Sequence, residues 1–419
     1  MIKNKKIIVG WHYVRTCMRW CLFSIATGIA CGIVGSGLYY LVMQANEVRE
    51  GCPWLIYLLP IAGLIIVRFY IMLNLAEDKG PDLIFDSIRE ENHVPIEVIV
   101  TSFVSTVITH LFGGSSGRVG AALQIGGGVS SGLSKYFKLD ARDRSLFIMC
   151  GMAGLVSVLF GTPLAAAFLA MEVISIGVIY YAAFLPCIVT SITAFIVSEY
   201  LGVAALRYEI PTISAKLGMN FVKVGALAIG CALISILFCI SIKHLNIFLS
   251  KYMANRYIRV FVGALVIIVL TTLVGNQTYN GSGGGILNGI FSDGNANNYD
   301  FILKLIFTAI TLACGFKGGG VFPAFIVGAA FGCVVGPYLG LPPQFAAAIG
   351  MVAVFCGAVN CPIASVLLSV EVFGGNSVVF FAMACAISFV LSGYSTLFPG
   401  QEFIYSKIRM EYRNSGLRE

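Results

Sequence analysis

Long apolar stretches recur from one end of this chain to the other, and that recurrence limits its possible folds more than any single motif does. The clearest occupy residues 20–43, 53–73, 146–173, 178–197, 222–242, 260–273 and 379–397. Several reach the ~20 residues that carry a helix across the roughly 30 Å hydrocarbon core of a bilayer. Shorter apolar pieces at 98–112, 121–133, 321–335 and 345–355 are mostly rich in glycine. Irregular backbone at membrane depth is tolerated only inside protein or beside water, so these read as re-entrant or broken helices. Charged residues make up 11% of the chain, against about 25% in soluble domains. That deficit is too large for two or three soluble domains. The expectation is an all-α integral membrane protein, one transmembrane domain over 1–419, with about ten to fourteen membrane helices.

The net charge is +7, but the basic residues form no nucleic-acid patch. They gather at the ends: Lys3, Lys5, Lys6, Arg15 and Arg19 at the start, and Lys407, Arg409, Arg413 and Arg418 at the finish. The positive-inside bias then places both termini in the cytoplasm, with an even number of crossings of the cell membrane. No small-residue cleavage site follows the first span, which reads as a retained helix. The 13 cysteines fall mostly inside apolar spans, as Cys21, Cys31, Cys150, Cys231 and Cys356 do, without a CxxC pair. They read as small packing residues. The four histidines are scattered, so neither a metal site nor a cofactor is expected.

Two segments read alike. MCGMAGLVSVLFGTPLAAAFLAMEV begins at Met149, and MVAVFCGAVNCPIASVLLSVEVFGG begins at Met351. Each has a proline followed nine residues later by Glu-Val: Pro163 with Glu172 and Val173, Pro362 with Glu371 and Val372. The same offset of 199 lays GRVGAALQIGG, from Gly117, on FKGGGVFPAFI, from Phe316. Both open an apolar helix and carry a basic residue second. Two halves, about 20–203 and 219–398, with matched glycine-interrupted segments are expected of transporters whose site lies at the midplane. Residues 399–419 read as a short cytoplasmic tail.

A helix that begins in mid-membrane exposes unpaired N–H groups and the positive end of its dipole. Such an end attracts anions, and glycine lets the backbone approach the ion. Three breaks fit: Lys79-Gly80-Pro81-Asp82, Gly117-Arg118-Val119-Gly120, and Gly318-Gly319-Gly320-Val321-Phe322-Pro323. Close helix packing is the competing use of such glycines, but two of these breaks are repeat mates. A cation at a helix amino end opposes the dipole, so Lys79 and Arg118 point to an anionic ligand. Glu77 and Asp78 beside Lys79 fit a solvated loop equally well. Glu172 and Glu371 are intramembrane carboxylates, which are functional by default. Their repeated placement favours a structural role, accepting hydrogen bonds from a neighbouring helix break. Gly113-Gly114-Ser115-Ser116-Gly117 matches G-x-S-x-G with His110 nearby, but an intramembrane serine hydrolase needs an elbow and an acid that are not apparent.

On these residues the chain resembles the CLC family of chloride channels and proton-coupled anion antiporters, over roughly residues 78–398. GRVGAALQIGG resembles the family's second signature, GGGVFPAF its third with Pro323 one place early, and TPLAAAFLAMEV its Ala-Pro-Leu-Ala helix ending in glutamate. The first signature, Gly-Ser-Gly-Ile-Pro, falls on 78–82, with Lys79 where the family has its anion-binding serine. The family's gating glutamate falls on Val119, and its internal proton glutamate on Val173, with Glu172 one place before. The pore tyrosine falls on Phe398, with Tyr394 the other position.

The resemblance implies an inverted-repeat homodimer with a pore in each subunit. Anion contacts would come from Lys79, Gly80, Val119, Gly120, Val321, Phe322 and Phe398. Many relatives carry cytoplasmic nucleotide-binding modules after the membrane part, and with about twenty residues beyond the last span none is expected here. Neither Val119 nor Val173 can titrate. The expected function is therefore passive conduction of a small anion, chloride first, across the lipid bilayer without proton exchange, and no enzymatic activity. The rivals are an antiporter that uses another proton route, with Glu172 as a possible relay, and a fluoride-transporting relative.

Overall fold

A computed structural model describes residues 2–75, 79–213, 218–409 and 411–412, without the side chains of 2–10 and 12. Glu77 and Asp78, and the basic residues Arg413 and Arg418, lie outside the described residues. Among the described residues, sixteen α-helices fall into two series. The first is α1 Ile2–Gly51, α2 Leu59–Met72, α3 Asp82–Arg89, α4 Glu97–Leu111, α5 Val119–Tyr136, α6 Ala141–Phe160, α7 Pro163–Glu172 and α8 Phe184–Tyr200. The second is α9 Gly218–Tyr252, α10 Arg256–Val274, α11 Gly284–Asp293, α12 Asp300–Ala313, α13 Val321–Val335, α14 Pro343–Val359, α15 Pro362–Phe373 and α16 Val378–Leu391. Each helix of the first series overlaps one of the second at the 199-residue offset. The repeat is thus a repeat of eight helices, although sequence showed it only around α5–α7 and α13–α15.

Seven helical segments among the described residues are long and apolar enough to cross a membrane, and five further apolar helices are 10–17 residues long. The stretch 146–173, expected as one span, is two helices. Gly161 ends α6 at φ +68°, a conformation only glycine adopts freely. Pro163 then opens α7, where its missing N–H costs nothing. Asn360, at φ +61°, and Pro362 make the same break between α14 and α15. The stretch 379–397 also ends early, because α16 stops at Leu391.

Glycines bring the central helices into backbone contact. A Cβ on Gly151 would lie 2.0 Å from the Gly126 carbonyl oxygen, and one on its mate Gly350 would lie 2.2 Å from that of Gly328. Small residues at such crossings are how membrane helices gain packing. Part of the stretch 399–419, expected as a tail, docks on the core. Glu402–Phe403 pairs in parallel with Ser175–Ile176. Lys407 Nζ donates to the Asn360 side chain, and to the Phe389 carbonyl at 2.9 Å.

Candidate functional site: two vestibules and a glycine junction

The amino ends of α5 and α13 meet. Gly117 N–H donates to the Gly319 carbonyl at 2.7 Å, and the two residues form an antiparallel bridge. A Cβ on Gly120 would lie 2.5 Å from the Gly318 carbonyl oxygen, and one on Gly319 would lie 2.5 Å from Gly120 N. Gly318 sits at φ +145° with Ser116 Oγ pressed against it. Only glycine fits here. The first N–H groups of both helices lack intrahelical acceptors, so two positive helix ends converge on one place.

A cavity opens on each side of this junction. The first vestibule, about 1300 Å³, is lined by Tyr39, Arg49, Gly117, Arg118, Gly283 and Phe322 among others. The second, about 800 Å³, is lined by Lys79, Gly80, Gly120, Gln124, Gly318–Gly320 and Phe398 among others. Pro53 and Ile56, just before α2, line the first, and Tyr70 near its end lines the second. The repeat mate α10 runs the other way, with Arg256 in the second vestibule and Thr271 in the first. The halves are therefore inverted, and the vestibules lie on opposite faces. Helix α1 ends at the first vestibule, so its start and the docked C-terminal segment share the face of the second.

The repeat also gives each vestibule a cation at the break. Arg118 stacks 4.6 Å from the Tyr39 ring on one side, and its mate Lys317 stacks 4.2 Å from the Tyr70 ring on the other. These contacts restrain the charge beside the helix end without neutralising it.

The expected site residues distribute as follows. Lys79, exposed, and Gly80, at φ +70°, stand at the mouth of the second vestibule. Gly120 lines the second vestibule and Phe322 the first. Val119 and Val321 are buried at 0% and 1% exposure and line neither cavity, so they form the partition. Phe398 lines the second vestibule with its ring edge-on to Phe85, 5.6 Å away. Tyr394 lines neither and packs on Phe403.

Val173 is buried away from both vestibules. Glu172 accepts hydrogen bonds from Ile363 N–H and Ala364 N–H, at 3.3 and 2.9 Å, at the start of α15. Glu371 accepts from Leu164 and Ala165 N–H, at 2.9 and 2.8 Å, at the start of α7. Each carboxylate thus caps the mate of its own helix. Glu172→Gln leaves one oxygen facing two donors and turns an NH2 toward them. We expect it to lower stability by about 2 kcal/mol. Thermal unfolding of the purified protein checks this, and an unchanged midpoint would refute the capping role.

Two buried cations escaped the sequence reading. Lys304, fully buried, donates to Ser115 Oγ at 3.0 Å and to the carbonyls of Tyr279 and Gly281 at 3.1 and 2.9 Å. Arg49 donates to Asn46 Oδ1 and to the His110 carbonyl at 3.0 and 3.3 Å. A lysine inside the apolar run 300–313 was the available signal. Ser115 and His110 make no dyad, since His110 Nδ1 faces the Thr106 carbonyl at 2.8 Å.

Inverted halves, two opposed vestibules and paired helix amino ends between them define a membrane protein that transports anions. A family model described as voltage gated chloride channel matches residues 70–393, and the chain belongs to this CLC family. A chloride/fluoride channel protein of Pseudomonas syringae pv. tomato is 33% identical over 93% of this chain and 87% of its own length. A solved CLC-type fluoride/proton antiporter superposes with TM-score 0.89 at 30% identity, covering 92% of this chain and 98% of that one. A slow cyanobacterial Cl−/H+ antiporter, at TM-score 0.74 and 18% identity over 89% and 94% of the two chains, shares the fold.

Proposed function

We propose that the chain conducts small monovalent anions passively through the glycine junction, chloride foremost, without exchanging protons in fixed ratio. The observation that carries this reading is Val119. It occupies the tip of α5, fully buried between the vestibules, where the family resemblance places a gating glutamate. A valine neither carries a proton nor competes with an anion for the helix end. Val173 removes a second titratable position, and Glu172 is engaged as a cap. The positive-inside bias would put the second vestibule, which shares a face with both described chain ends, in the cytoplasm. A homodimer with a pore in each subunit is part of the same proposal.

Chloride efflux from proteoliposomes under valinomycin, with pH recorded in the same cuvette, tests it. Efflux without proton movement is expected. Proton movement in fixed ratio to chloride would overturn the uncoupled reading.

Fluoride is the second reading. It is favoured by Lys79 at the mouth of the second vestibule and by the similarity to a chloride/fluoride channel protein and to a fluoride/proton antiporter. A strongly hydrated ion gains most from a charged donor. If fluoride is a substrate, Lys79→Ser should lower fluoride efflux roughly tenfold relative to chloride, the equivalent of about 1.4 kcal/mol. An unchanged fluoride-to-chloride ratio would count against Lys79 as a selective contact.

A further inference from the structure

Lys304 and Arg49 are buried cations without a part in conduction through the glycine junction, and both press on one loop. Lys304 Nζ donates to the Tyr279 and Gly281 carbonyls at 3.1 and 2.9 Å, and a Cβ on Gly283 would lie 3.0 Å from it. A Cβ on Gly281 would run into the Arg49 guanidinium. Gly281 and Gly283 take φ of +60° and +79°, which lets the loop close over both charges.

Lys304 holds only neutral oxygens. Asp300, one turn earlier on α12, is taken up by the Tyr279 hydroxyl at 2.5 Å and the Asn297 N–H at 2.9 Å. Arg49 is 3% exposed, and its Nε is buried with no hydrogen-bond partner among the described residues. The carboxylate beside it, Glu50, stands 3.6 Å away with its side chain 72% exposed. Two neighbouring buried positive charges without a buried anion are costly. What they lack is a counter-charge.

The other side of the same loop is a wall of the first vestibule, formed by Ser282, Gly283, Gly284 and Gly285, and Arg49 lines that vestibule too. This wall is the amino end of α11, the repeat mate of α3. Ile286 N–H donates back to the Gly283 carbonyl at 3.1 Å, whereas the Ser282, Gly284 and Gly285 N–H groups reach no acceptor among the described residues. The N–H and C=O of a trans peptide point opposite ways. With the Gly281 carbonyl drawn to Lys304, the Ser282 N–H therefore faces away from that lysine, toward the cavity that Ser282 lines. The carboxylates in the lining, Glu47 and Glu50, are both exposed.

We infer that residues 282–285 form a second anion-holding site in the first vestibule, a station for a small monovalent anion outside the glycine junction, with Arg49 and Lys304 as its counter-charges. Backbone N–H groups would touch the ion, and the cations would act on it from behind the loop. Such an arrangement holds an ion firmly enough to enter and loosely enough to leave. The inference rests on the reading of the chain as an anion conductor. It differs in place from the junction, which the ends of α5 and α13 build.

Crystals of the full chain soaked in bromide and read by anomalous scattering test the site directly. A bromide peak within hydrogen-bond reach of the Ser282, Gly284 and Gly285 N–H groups is expected. Arg49→Gln should lower its occupancy several-fold, and Arg49→Lys, which keeps the charge, should restore it. Gly285→Asp tethers a carboxylate at the site. A Cβ there meets nothing within 4 Å, and an acidic residue suits the first turn of a helix, so the variant should fold. It should lose the peak and slow chloride efflux from proteoliposomes several-fold. Gly289→Asp, whose Cβ is equally free and which lines neither vestibule, places the same charge one turn further on and should keep both peak and rate. No peak at 282–285 in a protein that passes chloride would overturn the inference and leave conduction standing. A Gly285→Asp variant with the peak and rate of wild type would overturn it as well. Bromide at this wall in a protein whose liposomes pass no chloride would support the site and overturn conduction.

Discussion

Val119→Glu should cut chloride efflux at neutral pH by roughly a hundredfold, and the residual flux should rise as pH falls. Val119 is the first residue of α5 and lies in the partition between the vestibules. A carboxylate there meets the unpaired N–H groups at the start of α5 and the positive end of its dipole. Charge-assisted hydrogen bonds contribute about 1.5–3 kcal/mol, and about 3 kcal/mol corresponds to a hundredfold in occupancy. The tethered charge therefore outcompetes a weakly held chloride until it is protonated. Val119 itself is fully buried, and the longer side chain would have to turn toward one of the cavities that its neighbours Arg118 and Gly120 border. Val119→Gln is the size control and should keep the wild-type pH profile. Efflux from Val119→Glu that matches wild type in rate and pH profile would show that ions do not pass this point.

Gly120→Ala should destabilise the protein by about 3 kcal/mol, the upper end of overpacking costs, and should reduce efflux at least tenfold. The added methyl would lie 2.5 Å from the Gly318 carbonyl oxygen and 3.2 Å from Gly319 Cα. Both contacts are backbone, and the Gly117–Gly319 hydrogen bond fixes that backbone across the junction. A rotamer change cannot relieve the clash; the two helix ends must separate. Gly132 in the same helix is the comparison, since a Cβ there meets nothing within 4 Å. Gly132→Ala should raise stability by about 1 kcal/mol through helix propensity. Thermal unfolding of the two variants beside wild type checks the pair. Equal midpoints for Gly120→Ala and wild type would contradict the close approach.

The break at Gly161–Pro163 shows how sequence and structure divide the work. Hydropathy runs unbroken through LFGTPLAAAF, so composition alone made one span of 146–173. Gly and Pro two residues apart were a stronger signal than the apolar run, because they act on the backbone rather than on partition into lipid. Asn360 and Pro362 repeat the lesson in the second half. The stretch 399–419 differs in another way. Its polarity suggests a tail, and only the short strand at Glu402–Phe403 and the hydrogen-bonded amine of Lys407 show that part of it docks.

The sequence by itself determined that the chain is a membrane protein in two like halves. It also located three glycine-led breaks, the cations beside them and the pair of intrahelical glutamates. All of these depend on short-range spacing: apolar length against bilayer thickness, glycine where backbone must turn, and proline where an N–H is not needed. The tertiary structure decided that the halves are inverted and that Glu172 and Glu371 cap one another's partner helices. It chose Phe398 over Tyr394 as the ring in the vestibule. Those outcomes depend on which residues meet across about two hundred positions of chain, as Glu172 meets Ala364. Such contacts are set by the packing of α7 on α15 and α5 on α13, where glycine spacing permits backbone contact but does not name the partner.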